Sequence, residues 1–241
     1  MKAKENVLPL EGSGRAHARR DHLVLAAALE GGIGIDLVVA REPSHPRSEE
    51  LRALRTQLLI RWSLANETRR GLAVVSPGCG EGRSYVAANL AVLFSQLGER
   101  TLLIDADLRA PRQHRIFNIP DGSGLSAVLS GRADSDAVVR LPEFGPLAVL
   151  PAGERPPNPQ ELLLRPAFAA LLGRLEAQFD VILFDTPPAK PYADAQSLAM
   201  RAGSAILLAR KDHTPLADTT GVIAELNATG TRIVGSVLNA F

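Results

Sequence analysis

Cys79 is the single cysteine in 241 residues, which excludes an intrachain disulfide and leaves none of the paired-thiol spacing that structural metal sites need. A reducing cytoplasm is the expected compartment. Aromatic residues make up only 4% of the chain, and tyrosine occurs only at positions 85 and 192. The five histidines (His17, His22, His45, His114 and His213) are dispersed without ligand spacing, and none is assigned a catalytic role. Formal charge is +1, so no global field favours nucleic acid or an anionic membrane. Arg15, Arg19 and Arg20 form the one early basic patch and read as a solvated tail. No long hydrophobic run occurs: the apolar stretch 23–40 is broken by Glu30, Asp36 and several glycines, so no membrane span is expected. Nor do the first residues combine a charged start, an apolar run and a small-residue cleavage site, so export is not expected.

What remains has an ordinary soluble composition, 46% hydrophobic and 22% charged, in a length that suits one domain with its own core. Residues 1–47 read as an N-terminal leader and linker, partly flexible, with 41–46 as the linker itself. A helix is expected from Ser48, with Ser48 as its cap, acids in the first turn, and Leu51, Leu54, Leu58 and Trp62 at helical spacing. Strand-length apolar runs follow at 72–76, 101–105, 147–151, 181–185, 204–210 and 233–239, separated in part by amphipathic stretches at 85–97, 166–179 and 216–228. Strands alternating with helices predict a doubly wound, mainly parallel α/β sheet covered on both faces, here spanning 48–241.

The first strand runs into Pro77, Gly78, Cys79, Gly80, Glu81, Gly82, Arg83 and Ser84, and then directly into a helix. Three glycines let successive backbone N–H groups turn inward, and a helix N-terminus behind them adds positive potential, which together cradle a polyphosphate. The phosphate-loop signature has Gly first and Lys before the hydroxyl residue; Pro77 and Arg83 hold those places here. Asp105 and Asp107 leave the end of one later strand and Asp185 the end of another. In an open α/β sheet the ligand lies at the carboxyl ends of the strands, so these acids face the same crevice and suit magnesium.

The region 48–241 resembles the bacterial tyrosine kinases, relatives of the chromosome-partitioning and septum-positioning ATPases. The matching segments are SPGCGEGRS, LLIDADLRAPRQH, GLSAVLSG, PAGERPPNPQELL and VILFDTPPA. The resemblance implies ATP and Mg2+ as cofactors, with Gly78, Cys79, Gly80, Glu81, Gly82, Arg83, Ser84, Tyr85 and Asn239 around the nucleotide, Asn239 toward adenine. It further implies that Ser84, Asp107 and Asp185 arrange the metal, that Asp105 accepts the tyrosine proton, and that Arg83 takes the catalytic lysine's place. Glu49, Arg52 and Arg55 match the family's E-x-x-R-x-x-R element of subunit self-association, implying a homo-oligomer. Within the family, the resemblance extends to the versions paired with membrane chain-length-determinant (polysaccharide co-polymerase) proteins in exopolysaccharide operons. They imply recruitment of a cytoplasmic domain to the inner face of the cell membrane.

Arginine keeps the lysine's charge but exchanges a compact ammonium for a broad fork on a longer stem, so binding can survive while transfer weakens. The sequence ends at Phe241 after its last strand, without the family's tyrosine-rich tail, which directs attention to a tyrosine on another protein as acceptor. Cys79 in the loop admits a redox reading, but a small residue filling the site accounts for it. Two alternatives stay open: a non-catalytic ATP-binding module of the polysaccharide complex, and a positioning ATPase. Against the second, Gly78 stands where the partitioning relatives carry an extra lysine.

Overall fold

The computed structural model describes residues 25–26, 36–62, 70–133 and 137–240. The early arginines lie outside these residues. The strands are β1 (Leu25–Ala26), β2 (Gly71–Val75), β3 (Thr101–Asp105), β4 (Val139–Leu141), β5 (Leu147–Leu150), β6 (Val181–Asp185), β7 (Ser204–Arg210) and β8 (Arg232–Asn239). They form one sheet in the order β1-β4-β5-β3-β6-β2-β7-β8, parallel throughout except for the β4–β5 pair. The six expected strands are all present within a residue at either end.

Alternate residues of the central strands supply two cores. Ala73, Val75, Leu102, Ile104, Ile182 and Phe184 point to one face. There they meet α5 (Leu125–Leu129), α6 (Pro159–Leu164), α7 (Pro166–Glu176), α8 (Asp194–Ala202) and α9 (Leu216–Ala228). Leu72, Val74, Leu103, Val181 and Leu183 point to the other, under α1 (Val38–Arg41), α2 (Pro46–Arg61), α3 (Arg83–Ser95) and α4 (Gln113–Ile116). Burial on both faces is why these strands read as continuous apolar runs rather than as alternating ones. α3 is buried over nearly its whole circumference from Val86 to Ser95, packed between the sheet and α2.

Three local expectations change. Ser48 does not cap α2: the helix starts at Pro46, and His45 caps it by accepting from Arg47 N through Nδ1. Proline suits a first helical position because it has no N–H to leave unpaired. The Ser48 hydroxyl is buried and donates to Glu42 O at 2.8 Å. Residues 41–46 form a tight connection between α1 and α2, and Leu37 and Val39 are fully buried in the second core, so packing reaches past Ser48 toward the N-terminus. Asn89 of α3 secures that segment, accepting from Val39 N and donating to Asp36 O. Among the described residues, no helix is long and apolar enough to cross a membrane.

Candidate functional site: a phosphate loop facing two carboxylate strands

β2 lies between β6 and β7, and β3 lies on the far side of β6, so the loop leaving β2 opens beside the ends of all three. Parallel registry sets the acids by direct pairing: Val74 lies opposite Asp185, and Asp185 opposite Asp105. The loop itself is held from within. Gly80 and Gly82 adopt φ of +70° and +94°, a region that L side chains rarely enter, and Gly82 caps the start of α3. Glu81 is buried; its Oε2 accepts from Gly78 N at 2.7 Å and its Oε1 from the Thr214 hydroxyl at 2.5 Å. Asn239 Nδ2 donates to Glu81 O at 3.2 Å, so the last strand is tied to the loop.

Arg83 is 8% exposed and turned beneath the loop. Its Nε donates to Thr186 O at 2.8 Å, and its Nη1 to Gly78 O at 2.5 Å and to the Ser76 hydroxyl. The guanidinium therefore bridges the phosphate loop and the end of β6. A lysine has one nitrogen for this task, whereas the fork satisfies several acceptors at once.

A cavity of about 910 Å³ opens above the loop. The expected nucleotide residues from Cys79 to Tyr85 line it, as do Asn239 and Asp107; Gly78 lies just behind, bonded to Glu81. Cys79 is exposed, and Tyr85 is half-buried with its phenol pKa raised by desolvation. Asp105 and Asp185 are fully buried and do not reach the cavity wall. Asp105 Oδ2 accepts from Arg112 N and Gln113 N at 3.0 and 2.9 Å, at the start of α4. Burial, and next the charge of Asp185, push its pKa well above the ordinary carboxylate range. Asp185 is pushed up to about 6, mainly by burial, against the opposing hydrogen bonds of Gln113 and Ser84. Asp107 forms an Asx turn, its Oδ1 accepting from Arg109 N at 3.1 Å and Ala110 N at 2.9 Å.

Gln113 has no counterpart in the sequence reading. Fully buried, it donates from Nε2 to Asp185 Oδ2 at 2.7 Å and to Ser84 O at 3.1 Å, linking all three motifs. No local pattern marked it, because its partners are 29 and 72 positions away. Arg109, two positions after Asp107, pairs with buried Asp194 at 2.7 Å and lies 3.7 Å above the Tyr192 ring. Glu49, Arg52 and Arg55 lie on α2 and bond within the chain: Arg52 to Glu49 and to Pro43 O, Arg55 to Leu93 O.

Among the described residues no cluster of three or more His, Cys, Asp or Glu is arranged to hold a metal. The donor set nonetheless suits magnesium, which is usually held by one or two carboxylates with phosphate oxygens and water. Ser84 lines the cavity beside Asp185, and Asp105 Oδ1, Asp185 Oδ1 and Gln113 Oε1 are buried acceptors without a donor among the described residues. Three unpartnered oxygens in one cluster favour a cation or a shared proton.

Comparisons with known proteins agree with this geometry. The family model for cellulose biosynthesis protein BcsQ matches residues 71–217. Tyrosine-protein kinase YwqD of Bacillus subtilis is 33% identical over 85% of this chain and 85% of its own length. Tyrosine-protein kinase wzc of Salmonella typhimurium is 30% identical over 85% of this chain, which spans only 28% of that longer protein. Among solved structures, the kinase domain of Escherichia coli tyrosine kinase ETK superposes with a TM-score of 0.79 at 28% identity, covering 92% of this chain and 84% of that one. The chimerical protein CapA2B2 superposes at 0.78 with 33% identity, covering 89% and 94%. The septum site-determining protein MinD of Pyrococcus horikoshii, complexed with Mg-ADP, superposes at 0.61 with 28% identity over 70% of this chain and 69% of that one. Strand order, phosphate loop, paired carboxylate strands and these likenesses converge: the chain belongs to the bacterial tyrosine kinases, within the P-loop ATPases.

Proposed function

We propose that this chain transfers the γ-phosphoryl group of ATP to tyrosine on another protein, in the control of exopolysaccharide chain assembly and export. The observation that carries the reading is the joining of the phosphate loop, Asp107 and Asn239 around one cavity, with Asp105 and Asp185 immediately behind it. The inward-turned loop and the start of α3 bind the phosphates, and Asn239 flanks the base. Ser84, with Asp107 and Asp185, would hold magnesium, which when bound would neutralise developing charge on the phosphates. For the tyrosine proton, Asp107 is the better-placed acceptor than Asp105, because Asp107 lines the cavity whereas Asp105 lies behind it, fully buried and engaged by α4. Asp105 then acts behind it, fixing α4 and the turn that carries Asp107.

The likeness to CapA2B2 and wzc supports partnership with a membrane chain-length-determinant protein. In this reading that partner recruits the domain to the inner face of the cell membrane, and Glu49, Arg52 and Arg55 of α2 mediate self-association. Residues 37–47 then belong to the kinase domain, through Leu37 and Val39 of the second core.

Incubation of the purified chain with labelled ATP, magnesium and a tyrosine-bearing partner separates the readings. Label on tyrosine, lost in Asp107→Asn, supports kinase activity. Free phosphate alone points to a positioning ATPase. The engagement of Arg83 by three protein acceptors favours one second reading, a regulatory module that binds ATP without transfer. Binding with neither product would establish it and overturn the first.

A further inference from the structure

Arg83 stands at the position whose positive charge must follow the transferring phosphoryl group, yet two of its nitrogens are already committed beneath the loop. Nε donates to Thr186 O at 2.8 Å and Nη1 to Gly78 O at 2.5 Å. A cation so fixed supports the loop from below. Charge developing at the far end of a triphosphate needs a donor above it.

The same cavity is lined by Arg112, an exposed residue at the mouth of α4. Its backbone N donates to Asp105 Oδ2 at 3.0 Å, which fixes its Cα beside the two acids. Its guanidinium has no hydrogen-bond or ion-pair partner among the described residues. Arg47, the third arginine of the cavity wall beside Arg83 and Arg112, shares its surroundings with the carboxylates of Asp36 and Glu50, all three acting on Tyr85. Arg112 is thus the anchored, uncommitted cation of the cavity that Asp107 also lines.

We propose that Arg112 is a catalytic residue that contacts the γ-phosphate of ATP from the cavity side, supplying the mobile charge that Arg83, bound under the loop, does not. The proposal rests on the kinase reading above. In the transfer step the γ-phosphorus–oxygen bond to ADP breaks and a bond to the phenol oxygen forms, while the phenol proton passes to Asp107. Arg112 exchanges no atom and stabilises the charge on the moving group.

The test is calorimetric titration of ATP and ADP, each with magnesium, into wild-type chain and into Arg112→Gln. Because ADP lacks the contacted group, Arg112→Gln is expected to weaken ATP about tenfold or more and to leave ADP unchanged, in keeping with the loss of one charge-assisted hydrogen bond. In an Arg83→Lys background, where the ammonium can follow the phosphates, the effect of Arg112→Gln on transfer is expected to shrink. An unchanged ratio of ATP to ADP affinity overturns the role of Arg112 and leaves the nucleotide site standing. Equal weakening of both nucleotides overturns it as well, since contact is then not confined to the γ-phosphate. If wild-type chain binds neither nucleotide, the kinase reading itself fails, and this inference with it.

Discussion

Gln113 Nε2 lies 2.7 Å from Asp185 Oδ2, and the same amide reaches Ser84 O at 3.1 Å while the Gln113 backbone N–H serves Asp105. One buried side chain thereby holds the end of β6 against the start of α3. Replacement by leucine keeps the volume and removes the donors, leaving Asp185 Oδ2 without the hydrogen bond from the Gln113 amide. The expected cost for the nucleotide-free protein is about 1–3 kcal/mol, read as a lower urea midpoint near neutral pH. An unchanged midpoint would show that the amide orders the site without stabilising the fold.

The carboxyl pair behind the cavity makes stability depend on pH in an unusual direction. Asp185 titrates at about 6 in the fold, and Asp105 is raised as well, both chiefly by burial. Between about pH 4, where an unfolded carboxylate loses its proton, and pH 6, the folded chain holds protons that the unfolded chain has released. This contribution is fully present below the unfolded value and is lost as pH rises through the folded one. Urea midpoints for Asp185→Asn should therefore fall less between about pH 4.5 and about pH 7 than those of the unaltered chain.

Asp180 should behave in the opposite sense. Arg100 and Arg70 bond its carboxylate at 2.6 and 2.9 Å, and the Arg100 hydrogen bond is the main reason its pKa falls to about 2. Its contribution is present above the ordinary carboxylate value and disappears as pH drops toward about 2. Asp180→Asn is expected to be less stable at neutral pH, with the difference shrinking on acidification and in high salt, because the cluster is partly solvent-exposed. Paired acid titrations at two salt concentrations would read this directly.

Gly124 admits no side chain. A Cβ there would stand 2.3 Å from Pro151 O and 2.4 Å from Gly153 N, both backbone atoms. The approach is close because Leu125 N and Ser126 N bond Pro151 O and Ala152 O, seating α5 against the chain leaving β5. Gly124→Ala should lower stability by about 1–3 kcal/mol through forced backbone movement. A melting temperature equal to that of the unaltered chain would count against the rigidity of this contact.

Much of the architecture was legible because a strand covered on both faces must be apolar along its whole length, and a glycine-rich turn before a helix has few other uses. That is why β2, β3 and β6 were expected nearly to the residue. The short elements were not legible. β4 has only three residues and pairs antiparallel with β5, and α4, α5 and α6 are too brief to show a helical period. Ser48 has the residue type of a cap, but the burial of its hydroxyl against Glu42 O decides otherwise. The linker expected at 41–46 proved tight because Leu37 and Val39 bury themselves in the core, a long-range fact that no local composition reports.

Sequence alone determined which groups were available: a loop able to curl around phosphate, an arginine where lysine is usual, and acids that end apolar strands. Tertiary structure decided which of them touch solvent and which face one another. Asp105 and Asp107 are two positions apart, yet one is sealed behind α4 and the other borders the cavity, because strand registry and the seating of α4 separate them. Gln113 and Arg112 acquired their places in the same way, since distance in space depends on how the sheet is ordered and not on position along the chain.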